Sequence, residues 1–311
     1  MGLKGLKETS LKLILFGGKG GVGKTTCACA AALYLAQDFK TLLFSTDPAH
    51  SLADSLEQKL DDRPKSVKGA ENLSALEVNA EKALLKFKTE HEEEIRRIVE
   101  TGTNLDTEDI DSVFALPVPG MDEVMGFKTM IDLVDEAHFD KYIVDTAPTG
   151  HALRLLTSPR LLDDWVKVMA KMRWKYRYMI ETFAGGYSPD QGDDFLLTMK
   201  KTVKKIEDLL RDPDRCEFIA VTIPEDMAVL ETTRLVSSLG RYGIKVGQLV
   251  INHVLESEGC EFCREKRREQ ARYIHLIKGK FGGLKTTFVP SCPHEVKGLK
   301  ALTELKKQLF D

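Results

Sequence analysis

The sequence contains few cysteines and no long hydrophobic run. Six cysteines in 311 residues are too few for a disulfide scaffold, and two of them form one Cys-x-x-Cys pair, so we expect a reducing compartment. The longest uncharged apolar stretch, residues 26–36, is too short to cross a bilayer. These absences exclude a disulfide-rich secreted domain and an integral membrane protein, and they predict a cytoplasmic location.

The sequence also lacks a strong charge of either sign, internal repeats and low-complexity linkers. The formal net charge is −3, with acidic and basic residues interspersed. Proteins that bind nucleic acid usually carry a concentrated basic face, so nucleic acid is not an expected partner. The length favours an α/β domain that carries a sizeable insertion.

A glycine-rich segment is the most informative feature that the sequence does contain. Residues 17–26 read Gly-Gly-Lys-Gly-Gly-Val-Gly-Lys-Thr-Thr, which includes the phosphate-loop pattern G-x-x-x-x-G-K-[ST]. An apolar run precedes the segment and an alanine-rich helical stretch, 27–37, follows it, as the pattern requires. Loop amides would surround the phosphates, Lys24 would reach the β- and γ-phosphates, and the Thr25 hydroxyl would hold Mg²⁺.

Short β-branched runs alternate with longer segments of helical period, which predicts a parallel sheet wrapped by helices. The predicted strands are 12–16, 41–45, 76–78, 142–145, 218–223, 247–251 and 286–289. Ligands bind beyond the carboxyl ends of such strands. Asp47 follows the second strand and Asp145 ends the fourth, so both are candidates to attend Mg²⁺. The alternatives are a turn residue before proline and a helix cap.

Four motifs together resemble those of the arsenite-pump ATPase family, a group of deviant phosphate-loop ATPases. They are the loop with its additional Lys19, Asp47-Pro-Ala-His-Ser-Leu52, Asp145-Thr-Ala-Pro-Thr-Gly-His151 and Val289-Pro-Ser-Cys-Pro-His-Glu-Val-Lys-Gly-Leu299. The likeness covers nearly the whole chain. Within the family, the single phosphate loop and the Cys260-Glu-Phe-Cys263 segment resemble the ATPases that deliver tail-anchored membrane proteins.

The resemblance implies a set of nucleotide-binding residues. They are Gly18, Lys19, Gly20, Gly21, Val22, Gly23, Lys24, Thr25, Thr26, Glu225, Asn252 and Pro290. Asn252 would read the adenine and Pro290 would belong to a loop over the base. Glu225 would contact the nucleotide across a dimer interface. The alternatives are a turn residue, a strand stop and a helix cap, respectively.

The resemblance also implies three catalytic residues: Lys19, Lys24 and Asp54. Asp54 would polarise the attacking water, with a solvated helix cap as its alternative role. Lys19 would reach into the partner's site, where a cation supplied in trans stabilises charge on the transferred phosphoryl group. Hydrolysis would then depend on dimer closure, and residues 48–54 and 146–150 would be switch segments.

The Cys260 and Cys263 pair supplies half of a tetrahedral zinc site. We predict a Cys₄ zinc site shared by two copies of the chain. The alternatives are a redox dithiol and a pair without function. The other four cysteines are expected to pack in the interior, namely Cys27, Cys29, Cys216 and Cys292.

Seven of the nine methionines lie between residues 121 and 199, in a stretch that interrupts the sheet pattern and has helical periodicity. We predict a helical subdomain inserted at about 80–135 and 155–212. Its candidate client-binding residues are Met121, Met125, Trp165, Met169, Met172, Tyr176, Met179, Phe183 and Met199. Such stripes usually form the core of a helical layer. The alternative is a flexible methionine surface that shields a transmembrane segment.

Together, these observations predict a single α/β ATPase domain, a parallel-sheet phosphate-loop NTPase core with a helical insertion. The resemblance implies a homodimer, larger with client, that captures tail-anchored proteins and delivers them to a membrane receptor during transient membrane association. ATP, Mg²⁺ and shared zinc are the expected cofactors. Two other functions stay open: the catalytic subunit of an arsenite efflux pump, which arsenite would stimulate, and a chaperone switched on by oxidation of the cysteine pair.

Overall fold

The computed structural model describes residues 3–46, 51–102, 121–146, 149–183, 190–256 and 259–310. The predicted magnesium residue Asp47 lies outside the described residues, as do residues 48–50 of the first predicted switch segment and residues 147 and 148 of the second.

An eight-stranded sheet organises the described part of the chain. Its strands are β1 (Leu13–Gly17), β2 (Thr41–Ser45), β3 (Lys65–Ser66), β4 (Leu73–Glu77), β5 (Lys141–Asp145), β6 (Cys216–Thr222), β7 (Val246–Val254) and β8 (Lys285–Pro290). Their order across the sheet is β3-β4-β2-β5-β1-β6-β7-β8. Neighbouring strands are parallel except at one edge, where β3 runs antiparallel to β4. The predicted α/β class with a parallel sheet is confirmed.

The central strands position the candidate site. Every residue of β1, β2 and β5 is buried, because helices cover both faces of a parallel sheet. The register places Asp145 beside Phe16 and Ser45, so the carboxyl ends of these three strands meet at one edge. The strands from β2 to β5 lie on one side of β1 and β6 to β8 lie on the other. A crevice therefore forms beyond β1, where such folds bind ligands.

Helices connect most of the strands along the described part of the chain. They are α1 (Lys24–Leu35), α2 (Ser51–Leu56), α3 (Ala80–Glu90), α4 (Glu92–Gly102), α5 (Met121–Glu136), α6 (Thr149–Phe183), α7 (Gln191–Arg211), α8 (Asp226–Arg241), α9 (Glu261–Lys280) and α10 (Gly298–Phe310). The buried side of α1 consists mainly of alanines together with Cys27 and Cys29. This side packs on β5 and α10. Small side chains allow this close approach, and the predicted packing role of both cysteines is confirmed.

Of the seven predicted strands, 41–45 matches the structure at both ends, and the other six differ by one to three residues at one or both ends. The strand predicted to begin at Leu76 begins at Leu73. The edge strand β3 was not predicted, because two residues are too few to show an alternating pattern. Helix α1 begins at Lys24 rather than Cys27, directly after the left-handed Gly23. The functional loop therefore runs straight into the helix.

The chain divides into two compact units. Met1–Asn79, Met130–Leu153 and Leu209–Asp311 form the first, which holds the whole described sheet. Ala80–Thr129 and Arg154–Asp208 form the second, in which every described element is a helix.

Three of the predicted client-binding methionines lie in the interior of the helical unit. Met125, Met169 and Met199 are 1%, 4% and 2% exposed and share one apolar cluster, against which Trp165 and Met172 pack. This is the usual arrangement of such stripes, because each amphipathic helix buries its apolar side against its neighbours. The role of these residues in client binding stays a prediction.

The remaining stripe residues lie in helices, but their side chains are outside the described set: Met121, Tyr176, Met179 and Phe183. A different face of α6 is exposed to solvent. Trp174 and Tyr178 are 70% and 62% exposed and stack with ring centroids 6.3 Å apart.

Candidate active site

The glycine loop after β1 has the backbone geometry of a phosphate-binding loop. Gly21 and Gly23 have φ angles of 79° and 90°, in the left-handed region that glycine adopts without strain. A Cβ atom on Gly18 would lie 2.1 Å from the Val221 carbonyl oxygen, so the loop also lies directly against β6. Both features require the glycines that the sequence supplies.

The first turn of α1 supplies positive charge to this loop. Lys24 is 5% exposed, and its ammonium donates a hydrogen bond to the Lys19 carbonyl at 3.2 Å. The Thr26 hydroxyl donates to the Gly23 carbonyl at 2.9 Å. The N-cap residue is Gly23, which has no side chain to cap the helix, and the first turn has no acidic residue. The positive end of the helix is therefore available to an anion. Lys19 itself is half-buried.

Hydroxyl and carboxylate oxygens come together where the magnesium ion is predicted. The Thr25 hydroxyl donates to Asp145 Oδ2 at 2.7 Å, and Asp145 is fully buried at the end of β5. The Ser45 hydroxyl lies 3.5 Å from the same oxygen, and the Ser51 hydroxyl lies 3.3 Å from that of Thr25. Magnesium prefers such oxygen ligands and is commonly held by one carboxylate with substrate phosphates. The residues present therefore fit a magnesium ion.

Helix α2 brings Asp54 to the same region. Asp54 is exposed and lines a cleft of about 380 Å³ next to the loop. Leu52 and Leu56, on the side of α2 that faces away from Asp54, are buried. Its first turn is held by Glu77, whose Oε1 accepts a hydrogen bond from the Ala53 amide at 2.9 Å.

The cleft gathers residues that are far apart in the sequence. Gly23, Thr26, Asp54, Asn252 and Pro290 all line it. The Asn252 side-chain amide donates to the Val22 carbonyl at 2.9 Å, which fixes this side chain against the loop. The structure thus brings together the predicted phosphate, water and base positions in one cleft.

Glu225 lies near the cleft without being one of its lining residues. It precedes α8 in extended conformation, with its carboxylate 3.8 Å from the Lys266 ammonium. Desolvation lowers the pKa of His253, and the nearby Glu225 carboxylate opposes that shift. His253 lines the cleft, so the Glu225 carboxylate acts electrostatically on a residue of the cleft lining.

Several site residues were not predicted from sequence. They are Ser45, Ser51, Glu77, His253, Cys292, His294, Glu295 and Lys297. Cys292 was expected to pack in the interior, but it is half-buried and lines the cleft. Its position two residues after Pro290, in the segment predicted to cover the base, was the signal that could have placed it.

The Cys-x-x-Cys pair lies at the start of α9, where Cys260 is exposed and Cys263 is half-buried. Cys260 and Cys263 have sulfur atoms 3.2 Å apart, and the Cys263 amide donates to the Cys260 sulfur at 3.3 Å. Hydrogen bonds from the Cys263 amide and thiol lower the pKa of Cys260, while the same thiol contact raises the pKa of Cys263. Cys260 is therefore the first of the two to become a thiolate. Among the described residues, no group of three or more metal-ligating side chains occurs.

A parallel sheet, a glycine loop that enters a helix and a buried aspartate on the adjacent strand define a phosphate-loop nucleotide hydrolase. A sequence profile described as anion-transporting ATPase matches residues 11–311. The chain belongs to this family, as the motifs predicted, and it is an ATP hydrolase that uses Mg²⁺.

Relatives of known name match along nearly the whole chain. "ATPase ASNA1 homolog 1" of Paramecium tetraurelia is 33% identical over 98% of this chain and 94% of that protein. "ATPase get3" of Schizosaccharomyces japonicus is 32% identical over 98% and 94%, and "ATPase GET3A" of Arabidopsis thaliana is 33% identical over 96% and 83%. In the part of the chain that the structure describes, no helix is long and apolar enough to cross a membrane.

Proposed function

We propose that this ATPase captures the hydrophobic transmembrane tails of membrane proteins and delivers them to a membrane receptor. The observation that carries the proposal is the pairing of an ATP site with a separate helical unit rich in apolar side chains. Helix α6 begins four residues after Asp145 and continues to Phe183, so one helix follows the magnesium-binding strand and extends into the sequence of the helical unit. The resemblance to tail-delivering ATPases supports this assignment.

Within each subunit, loop amides and Lys24 hold the phosphates. Asn252 and Pro290 hold the base, and Asp54 orients the attacking water. Thr25 and Asp145 are the described residues that would hold magnesium, which would supply positive charge beside the phosphates.

Two subunits close over the nucleotide in this proposal. Lys19 of each subunit enters the site of its partner, and Glu225 contacts the nucleotide across the interface. A cation supplied in trans accelerates phosphoryl transfer only after closure. ATP binding therefore sets the closed state, and hydrolysis ends it. The protein works in the cytoplasm and associates with the membrane only during delivery.

The client surface is assigned to the apolar stripes of the helical unit. Because Met125, Met169 and Met199 are buried here, client binding requires the helices to separate and expose them. A transmembrane helix of about 20 residues would replace these contacts, and burial at roughly 25 cal/mol per Å² makes the exchange favourable by several kcal/mol. Methionine suits such a surface because its flexible side chain adapts to many sequences.

Capture is tested with the Asp54→Asn variant, which should bind ATP and hydrolyse it slowly. Co-expression with a protein that has one C-terminal transmembrane segment should yield a soluble complex that co-purifies, because the closed state persists. Co-purification is quantified against the same client without its tail. Equal recovery of both clients by a folded, ATP-binding variant would contradict the proposal.

The two faces of α6 provide a matched comparison. Met172 belongs to the stripe and is half-buried, whereas Trp174 is exposed on another face. In the Asp54→Asn background, Met172→Asp should lower tail capture and Trp174→Ser should preserve it. The reverse result would place the client on the exposed Trp174 and Tyr178 face instead.

We further propose that Cys260 and Cys263 hold zinc together with the same pair of a second subunit. A structural zinc site needs four ligands, and this pair supplies two sulfur atoms that lie 3.2 Å apart. The close pair also favours a second candidate role, in which a peroxide oxidises the two thiols to a disulfide and takes up their two electrons and two protons as it is reduced. The disulfide would release the metal and switch on chaperone activity, and a thiol reductant would reverse it. The described cysteines do not favour an arsenite site, because Cys27, Cys29 and Cys216 are buried separately from this pair.

Replacing both Cys260 and Cys263 with serine should remove the metal. Elemental analysis of the wild-type dimer should give about one zinc ion per two chains, and the variant should contain almost none. The variant should also dissociate to monomer at higher concentration without nucleotide. Cys292→Ser is the control, since this thiol lies in the nucleotide cleft. Zinc retained by the double variant would rule out this site.

A further inference from the structure

Glu77 is a buried carboxylate directed at the first turn of α2. It ends β4, is 7% exposed, and accepts a hydrogen bond from the Ala53 amide at 2.9 Å. Its own backbone is held rigidly, because its amide donates to the Asp61 carbonyl at 3.0 Å and the next amide donates to Ser45 at 3.0 Å. A buried carboxylate is costly without hydrogen bonds, so this contact is specific rather than incidental.

The helix that Glu77 holds carries the catalytic groups of the first switch segment. Asp54 directly follows Ala53, and Ser51 lies 3.3 Å from the Thr25 hydroxyl. Helix α2 has only six residues, and so short a helix is not stable without outside contacts. Leu52 and Leu56 bury its inner side, but apolar contacts are not directional. The Glu77 hydrogen bond fixes where the first turn lies.

We propose that Glu77 is a positioning residue for ATP hydrolysis. It holds the first turn of α2 so that Asp54 faces the nucleotide cleft, and it does not touch the reacting atoms. The inference rests on the role proposed above for Asp54 and requires nothing of the client. A failed tail-capture experiment would therefore leave it intact.

The test separates turnover from binding. Glu77→Ala should lower kcat for Mg-ATP by about 10- to 100-fold, since displacement of a catalytic group by about 1 Å has effects of this size. The KM for ATP and the affinity for ADP should stay within about threefold of wild type. Glu77→Gln retains an acceptor oxygen and should restore most of the turnover. Glu71→Ala, at an exposed glutamate just before β4, is the matched control.

A double variant tests whether Glu77 acts through Asp54. Glu77→Ala should cause no further loss of kcat in the Asp54→Asn background, because the group that it positions is already absent. Additive losses would overturn the inference, as would wild-type kcat in Glu77→Ala. If Glu77→Ala and Glu77→Gln both had a lower affinity for ADP and a lower melting temperature than wild type, the role of Glu77 would be purely structural and the inference would be wrong. Wild-type turnover in Asp54→Asn alone would remove the role of Asp54 and the inference with it.

Discussion

Gly18→Ala should severely weaken ATP binding and hydrolysis. The added methyl would lie 2.1 Å from the Val221 carbonyl oxygen, whereas carbon–oxygen contacts between strands lie at about 3.3–3.6 Å. Val221 belongs to β6, an interior strand that pairs on both sides, so its backbone cannot move away. The phosphate loop must therefore move by about 1 Å, and we expect a loss of about 100-fold or more in kcat/KM. Nucleotide titration and steady-state hydrolysis measure the effect.

Alanine variants at two other glycines distinguish the clash with Val221 from the general cost of adding a methyl group to a glycine. Gly21 has a φ of 79° with no atom within 4 Å of an added Cβ, so Gly21→Ala carries only the left-handed penalty of about 1–2 kcal/mol. Gly279, in the last turn of α9, has neither a positive φ nor a nearby atom. Gly279→Ala should leave hydrolysis unchanged and stabilise the protein by about 0.5–1 kcal/mol.

The order of effects is the test of this explanation. We expect Gly18→Ala to be the most damaging, Gly21→Ala to be intermediate and Gly279→Ala to be neutral for hydrolysis. If Gly18→Ala and Gly21→Ala bound nucleotide equally well, contact with β6 would not determine the loop position.

Lys19→Ala should nearly eliminate ATP hydrolysis while nucleotide binding stays close to wild type. The buried Lys24 ammonium donates to the Lys19 carbonyl, so Lys24 already supplies a cation to its own loop. We assign the Lys19 side chain to the partner's site. A catalytic cation supplied in trans contributes about 10³- to 10⁵-fold to hydrolysis. Steady-state turnover and equilibrium binding of labelled nucleotide measure the two properties separately.

Mixing two inactive variants tests whether Lys19 acts on the partner. Lys24→Ala disables its own loop but retains Lys19, and Lys19→Ala has the opposite defect. A mixed dimer therefore contains one complete site, and random mixing should restore up to about a quarter of wild-type turnover in a two-fold symmetric dimer. Each variant alone should remain inactive. Failure of the mixture to recover activity, with subunit exchange verified, would show that Lys19 acts within its own chain.

The helical unit shows where sequence periodicity stops being informative. Met169 and Met172 recur at helical spacing, and that spacing correctly indicated one apolar face on a helix. Periodicity cannot tell whether such a face covers a neighbouring helix or a client, because both remove the same side chains from water. Only the structure shows that Met169 is 4% exposed in the interior of its unit, and that Trp174 is the exposed residue.

The phosphate loop, the parallel sheet and the family were determined by the sequence itself. The loop needs contiguous glycines, a lysine and a threonine, and a buried strand needs an unbroken apolar run, so local order suffices to identify each. Tertiary structure alone decided the contact of Glu77 with Ala53, the support of Asn252 on Val22 and the place of Cys292 in the cleft. These contacts join residues that are distant along the chain, and their partners are set by strand order and register, which no local pattern encodes.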